Sequence, residues 1–526
     1  MIREKTVSAE NSSIGAVMEF VRDYLYERKA QINYINESVI LCEEIMTKIA
    51  AFGEDTDSIT VKIKRSITGS CISFSFKGRY FELYDDPDDI GTKIISAYSN
   101  NIKQSHRDGM NKITVLINHS YSTQTRISHI AILLAIVIAV VIKLTGGEET
   151  GRYICEILAE PVSSFFVRAL TFIANPVIFF SLVSLIAKMV DVRNHDSYRK
   201  RMIINYAASS ALAVIIGITV FFLCTWVMSH AGMIDNLSED GNLGVAFSSF
   251  KEMILNFIPE SIVEPFSSGN PFALLFGAIL CGIAAGTIEQ YSDEVKNLVE
   301  AMNTLMSKIL SIIYSVIPAA VFTSVFIEFF SVTDTGYDVY ICGIISLIAG
   351  IFLMIAVYMI QMAAHKIDPF DFMKKYKTLF WTNIKIGSSL DAVGYNIRGA
   401  RKCFGLPVDF LETSIPLGAN INMDASSMYI TVVVLLMGVA NGINPSVEQI
   451  CIVAALALCM SVGAPNQPGT GIVTIAVIMP ILNIPNDVIC VAIVLETVLG
   501  ALCAAFNTTG DVVSSMIIAK KFKMIE

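Results

Sequence analysis

The sequence predicts an all-α polytopic membrane protein that carries a small α+β soluble domain at its N-terminus, and three observations predict it. The 526-residue chain is 54% hydrophobic and only 16% charged, with a mean hydropathy of +0.60, more apolar and less charged than soluble chains of this length. Its polarity is uneven: ordinary up to about residue 125, then almost wholly apolar tracts separated by short polar loops. In the last third those tracts are broken by polar and Gly/Pro clusters.

Residues 1–120 read as a domain with its own core. Periodicity predicts helices near 12–29, 36–52 and 88–102, and strands near 58–65, 71–76, 79–84 and 112–118. No secretory signal pattern opens the chain, so this domain is expected in the cytoplasm, with a regulatory or docking role. The net charge of −9 offers no basic surface for nucleic acid, and the eleven cysteines lack the paired spacing of a metal site or disulfide frame.

From residue 125 to 526 the chain reads as a transporter. A bilayer core takes about 20 apolar residues per helix, and such tracts lie near 127–145, 162–188, 202–229, 268–288, 303–331 and 338–364. Lys188, Arg193, Arg199, Lys200 and Arg201, then Lys366, Lys374, Lys375 and Lys377, and finally Lys520, Lys521 and Lys523 mark the cytoplasmic loops. Glu148, Glu149, Glu156, Glu160, Asp235, Glu239, Asp240, Asp334 and Asp338 occupy the alternate ones. Both termini are therefore expected in the cytoplasm and the protein in the cell membrane.

Beyond the sixth tract, polar clusters IGSSLDA, IPLGANINMDASS, SVGAPNQPGTG and FNTTGD interrupt the apolar segments. Backbone broken at membrane depth is tolerated only inside protein or beside an aqueous site. The pattern predicts a hairpin at about 370–403, an interrupted span at about 407–440, a second hairpin at about 446–485, and a last span at about 487–520 interrupted near Asn507. Inverted repeats of this kind point to a binding site at the midplane.

Acids inside membrane segments are costly and functional by default, and Asp424, Asp511 and Glu496 stand out. Glu496, Gly500, Cys503, Asn507 and Asp511 recur at helical spacing and share one face. With the free carbonyls expected at Gly418 and Asn422, they present oxygen ligands suited to a hard cation; thiolate and imidazole clusters for a transition metal are missing. Ser388 and Ser389 are weaker candidates, because hydroxyls also join membrane helices.

PLGANINMD, SVGAPNQPGTG and NTTGD, in that order, resemble the dicarboxylate/amino acid:cation symporter family over roughly residues 125–522. The resemblance implies eight transmembrane helices plus two re-entrant helical hairpins, a homotrimer in the lipid bilayer, and an elevator motion. It implies sodium ligands at Asn422, Asp424, Asn507 and Asp511 with the Gly418 and Asn507 carbonyls. Tyr206, Ser209 and Ser210 would complete another site beside Asp424, and Ser461, Val462 and Ala464 a third. Ser388, Ser389, Ala425, Ser426, Pro468, Gly469, Gly500, Cys503 and Asn507 would surround the substrate.

Two departures bear on substrate. Gly500 stands where the acidic amino acid carriers of the family keep an Asp for the substrate ammonium, and Cys503 where they keep an Arg for its side-chain carboxylate. Loss of the Arg removes five donors and a fixed charge, and a small neutral residue there resembles the neutral amino acid carriers. Glu496, one turn away, could take the ammonium. Leu390 replaces a family serine at the first hairpin tip, beside Asp391. The expectation is a sodium-coupled symporter or exchanger of a small solute, a neutral amino acid. The alternatives are a proton-coupled carrier with Glu496 as the H+ site, or a solute sensor signalling through the N-terminal domain. No nucleophile and base pair suggests an enzyme.

Overall fold

The structure is a computed structural model; it describes residues 3–27, 32–52, 58–65, 69–83, 89, 91–92, 95, 102–107, 109–118, 123–145, 147–193, 197–230, 258–267, 269–288, 292–331, 334–463, 469–485 and 488–525. The chain divides into two bodies. The first comprises Met1–Ser122, Lys375–Ile386 and Asp391–Val408, the second Thr123–Lys374, Gly387–Leu390 and Asp409–Glu526.

The first body is built on an antiparallel sheet of β1 (Arg3–Ser8), β2 (Ser58–Arg65), β3 (Gly69–Lys77), β4 (Ile102–Arg107) and β5 (Met110–Asn118), in the order β1-β2-β3-β5-β4. Alternation sends Ile59, Val61, Ile63, Ile72, Phe74, Phe76, Ile113 and Val115 to one buried face. Register aligns them, Val61 opposite Phe74 and Phe74 opposite Ile113. Helices α1 (Ile14–Glu27) and α2 (Ile32–Phe52) supply Val17, Val21, Ile45 and Ile49 to the same core.

Two expectations for this domain change. Edge strands β1 and β4 escape the pattern reading because both are polar, with alternate positions such as Glu4, Thr6, Lys103, Ser105 and Arg107 exposed. The expected strand at 79–84 is absent from the described residues 79–83. Side chains hold that segment instead: Asn111 accepts from Phe81 N–H at 3.2 Å and donates to the Arg79 carbonyl at 2.7 Å, and Gln104 bonds both Phe81 and Leu83. The Phe81 ring then packs edge-on against Phe52 and Phe76. The helix expected at 88–102 lies mostly outside the described residues; Gly91, Thr92 and Ile95 are helical there, and only its last residue, Ile102, begins a strand instead.

In the second body come α3 (Thr123–Leu144), α4 (Glu148–Ile154), a π-helical stretch Cys155–Ala159, α5 (Glu160–Arg193) and α6 (Ser197–His230). Next are α7 (Pro271–Thr287), α8 (Ser292–Tyr314), α9 (Ile317–Ser331) and α10 (Asp334–Ala364). Among the described residues six helices are long and apolar enough to cross a membrane, or seven if α8 and α9 form one span. The tract read as one span at 303–331 is bent by 53° between α8 and α9. The tract at 268–288 yields only the 17-residue α7, started by Asn270, whose side chain caps the Phe272 N–H at 3.0 Å.

The last third forms α11 (Pro369–Ile386), α12 (Val393–Phe404), α13 (Val408–Ile421), α14 (Asp424–Ala440), α15 (Val447–Gly463), α16 (Thr470–Ile478) and α17 (Ile489–Lys521). Helix pairs α11–α12 and α15–α16 lie where the hairpins are expected. Gly387 at φ +67° and Gly469 at φ +92° stand at their tips, in the left-handed region that glycine tolerates. In the first body α11 and α12 touch where Gly399 leaves no room for a Cβ beside Leu379; Asn383 donates to Asn396 Oδ1 at 2.9 Å and Tyr376 OH at 3.1 Å. Arg398 of α12 pairs with Glu43 at 3.0 Å and with Glu44, both on α2.

The NMD break is present: Asn422 and Met423 are non-helical between α13 and α14. The interruption expected near Asn507 is not, because α17 runs unbroken through NTTGD. Thr508 and Thr509 fold their hydroxyls back to the Ala505 carbonyl at 2.9 and 2.7 Å, which satisfies them within the helix.

Asn111→Ala should destabilise the N-terminal domain by about 1–3 kcal/mol, since it leaves the buried Phe81 N–H without its acceptor. Faster amide exchange of residues 79–83 in the full-length protein would show it; unchanged exchange would mean that the segment does not depend on this amide.

Candidate cation and solute site

Within the second body, the α13–α14 break faces α6, α10 and α17. Asp424, the first residue of α14, is fully buried. Its Oδ2 accepts from Ser209 at 2.7 Å and Tyr358 at 2.6 Å, and its Oδ1 from Ser210 at 2.8 Å. Ser210 Oγ also accepts the Met423 N–H at 3.0 Å, tying α6 to the break. Three hydroxyl donors on one carboxylate supply the hydrogen bonds that a buried charge requires.

The second acid lies on α17. Asp511, also fully buried, accepts from Asn422 Nδ2 at 3.1 Å through Oδ1. Its Oδ2 and the Asn422 Oδ1 are buried and take part in no hydrogen bond. Orphaned oxygens are rare at such depth, and two of them from a carboxylate and an amide provide the donor set of a hard cation. The packing is close: a Cβ on Gly418 would stand 2.7 Å from Asp511 Oδ1, and one on Gly510 would stand 2.6 Å from Tyr358 OH and 2.8 Å from Asp424 Oδ2.

Asn507 joins this cluster to a cavity. Its Oδ1 accepts from the N–H groups of Ala425 at 2.8 Å and Ser426 at 3.3 Å, and its Nδ2 donates to Ser426 Oγ at 2.8 Å. Beside it lies a cavity of about 40 Å³ lined by Ser388, Ser389, Ser426, Ser461, Glu496, Gly500, Cys503 and Asn507, with Gly387, Met423, Tyr429, Ile430, Thr470, Gly471, Thr474 and Ala504. Among the described residues of that lining, Glu496 is the single acidic or basic side chain. It accepts from the Gly469 and Gly471 N–H groups and the Tyr429 hydroxyl, and Gly471 leaves no space for a Cβ against it. Tyr314, at the end of α8, donates its hydroxyl to the Gly469 carbonyl.

The residues singled out from sequence thus divide. Ser209, Ser210, Asn422, Asp424, Asn507, Asp511 and Gly418 come together around the break, and Ser388, Ser389, Ser426, Gly500, Cys503 and Glu496 around the cavity. Gly469 meets Glu496 through its N–H, and Ala425 meets Asn507. Tyr206 bonds the Ser414 carbonyl at 3.0 Å and Ser515 at 3.4 Å rather than Asp424. Ser461 returns its hydroxyl to the Leu458 carbonyl at 3.0 Å while lining the cavity, and Val462 stands beside it outside the lining. The carbonyls of Gly418 and Asn507 accept from Asn422, at 2.8 and 3.4 Å. Ala464 and Pro468 lie outside the described residues. Tyr358 and Tyr429 were not anticipated; a hydroxyl in an apolar helix that must find a partner is the signal each offered.

Residues 129–521 match the sodium:dicarboxylate symporter family. The chain belongs to this family. Among its relatives are C4-dicarboxylate transport proteins of Agrobacterium fabrum, 23% identical over 69% of this chain and 82% of theirs, and of Bacillus subtilis, 21% identical over 74% and 92%. A third, from Rhodospirillum rubrum, is 21% identical over 73% and 87%. As a sodium:dicarboxylate symporter family member, the protein is a multi-pass membrane transporter coupled to a cation. The family match leaves residues 1–128 outside.

Gly510→Ala should lower stability by about 1–3 kcal/mol through overpacking against Asn422, Tyr358 and Asp424. Thermal unfolding in detergent reads this; an unchanged melting temperature would show that the cluster yields without strain.

Proposed function

We propose that the protein is a sodium-coupled symporter or exchanger of a small neutral amino acid. The observation that carries the substrate class is the character of the cavity: among the described residues its lining holds Glu496 and no Lys, Arg or His. Desolvating a dicarboxylate there would leave two anionic groups without a fixed positive partner. One ammonium group against Glu496 is complementary, and Ser388, Ser389 and the backbone at the tips can bind one carboxylate. Cys503, where the acidic amino acid carriers of the family keep an arginine, supports the same reading.

Sodium is favoured by the donors: Asn422 Oδ1 and Asp511 Oδ2 are the oxygens left for it, with Asp424 and its hydroxyls adjacent. A proton could instead ride on Glu496, which no cation site requires. Segments rich in lysine and arginine around the ends of α5, α10 and α17 support cytoplasmic termini, and family membership supports a trimer whose helix pairs gate an elevator motion.

The test is the melting temperature of the full-length protein with alanine, serine, aspartate or succinate, each in sodium and in potassium. A ligand at 100 times its Kd adds about 2.7 kcal/mol by linkage. Stabilisation by alanine or serine in sodium alone is expected, abolished by Asp424→Asn, while Glu496→Gln removes the preference for amines. Stabilisation only by succinate would assign the chain to the dicarboxylate chemistry printed for its relatives, and a response indifferent to sodium would assign the coupling to protons.

A further inference from the structure

The first helix pair offers a second kind of chemistry. Arg398 stands nine residues beyond Ser389, on the arm that continues from the tip Gly387–Leu390 through Ala392. Its guanidinium forks between carboxylates of two consecutive α2 residues, Nη1 on Glu43 Oε2 at 3.0 Å and Nη2 on Glu44. The fork matches what guanidinium geometry favours over an ammonium. The tip, by contrast, supplies Ser388 and Ser389 to the cavity. One short helix therefore links a domain outside the family match to the residues that line the solute site.

The balance of exposure suits a reversible contact. Glu44 is 8% exposed, Arg398 30% and Glu43 34%. The Arg398–Glu43 half is near enough to water to be screened and weak, whereas a deserted Glu44 would be a costly unpaired buried charge. The contact is held, yet competing charge can reach it. Lys48, one turn along α2 from Glu44, pairs with Asp89 at 3.3 Å, so the acidic pair is presented from an anchored helix.

We infer that the N-terminal domain is a brake on transport: through Glu43 and Glu44 it clamps Arg398, restrains the α12 arm, and slows the movement of the Ser388–Ser389 tip. The inference rests on the transport reading for its consequence, and on the ion pairs alone for its mechanism. A ligand or partner that draws α2 away, or offers its own acidic group to Arg398, releases the arm.

The test uses the full-length protein with Arg398→Gln, with Glu43→Gln/Glu44→Gln, and with the exchanged pair Glu44→Arg/Arg398→Glu. Amide exchange of residues 387–404 should accelerate at least about threefold in both neutralised forms, by local opening. Strand residues 59–63 and 72–76 should keep their protection, and the exchanged pair should restore slow exchange in 387–404. Sodium-driven alanine uptake into liposomes should rise about threefold at unchanged half-saturating sodium, as expected for a released conformational step. Unchanged exchange in 387–404 overturns the proposal, as does faster exchange without faster uptake. If the unmodified chain takes up no alanine, the transport reading fails, and the exchange result alone decides the clamp.

Discussion

Two carboxylates buried in one helical body set the terms for everything around them. Asp424 and Asp511 lie where water cannot solvate them, so each needs partners brought by the fold. Asp424 receives three hydroxyls from α6 and α10. Asp511 receives one amide proton and keeps an oxygen free. The first arrangement is satisfied and rigid, the second incomplete by construction. The proposed cation site rests on that asymmetry, and backbone approaches the two acids closely at Gly418 and Gly510.

The cavity inherits its character from the same helix. Asn507 turns its carbonyl oxygen to the start of α14 and its amide to Ser426, so cation cluster and cavity share a side chain. One amide therefore contacts both the start of α14 and the lining of the cavity. Glu496, three turns earlier on α17, brings a carboxyl group to the lining, held by backbone donors of the second helix pair and by Tyr429. The names of the bacterial relatives describe C4-dicarboxylate transport, and the proposed difference in substrate rests on the acidic side chain in this lining.

How much of this was legible in the sequence follows from which residues announce themselves. Asp424 did, because an acid beside Asn and Gly in an apolar run has few structural excuses. The NTTGD cluster looks equally disruptive by composition, yet α17 is continuous, since threonine hydroxyls can satisfy themselves within a helix and composition does not record where they point. Tyr358 was silent because an aromatic in an apolar tract reads as packing. In the N-terminal domain the central strands showed clean alternation, while β1 and β4 alternate polar with polar, and the segment after β3 is held by side-chain amides that no periodicity encodes.

The polar character of those two strands has a consequence of its own. An antiparallel sheet that ends on both sides in open strands is a template on which another chain can add a strand. Here the outer strands carry Arg3, Glu4 and Lys5 on one side and Lys103, His106 and Arg107 on the other, charges that an incoming strand would have to accommodate. Charged edges of this kind oppose edge-to-edge polymerisation of the sheet.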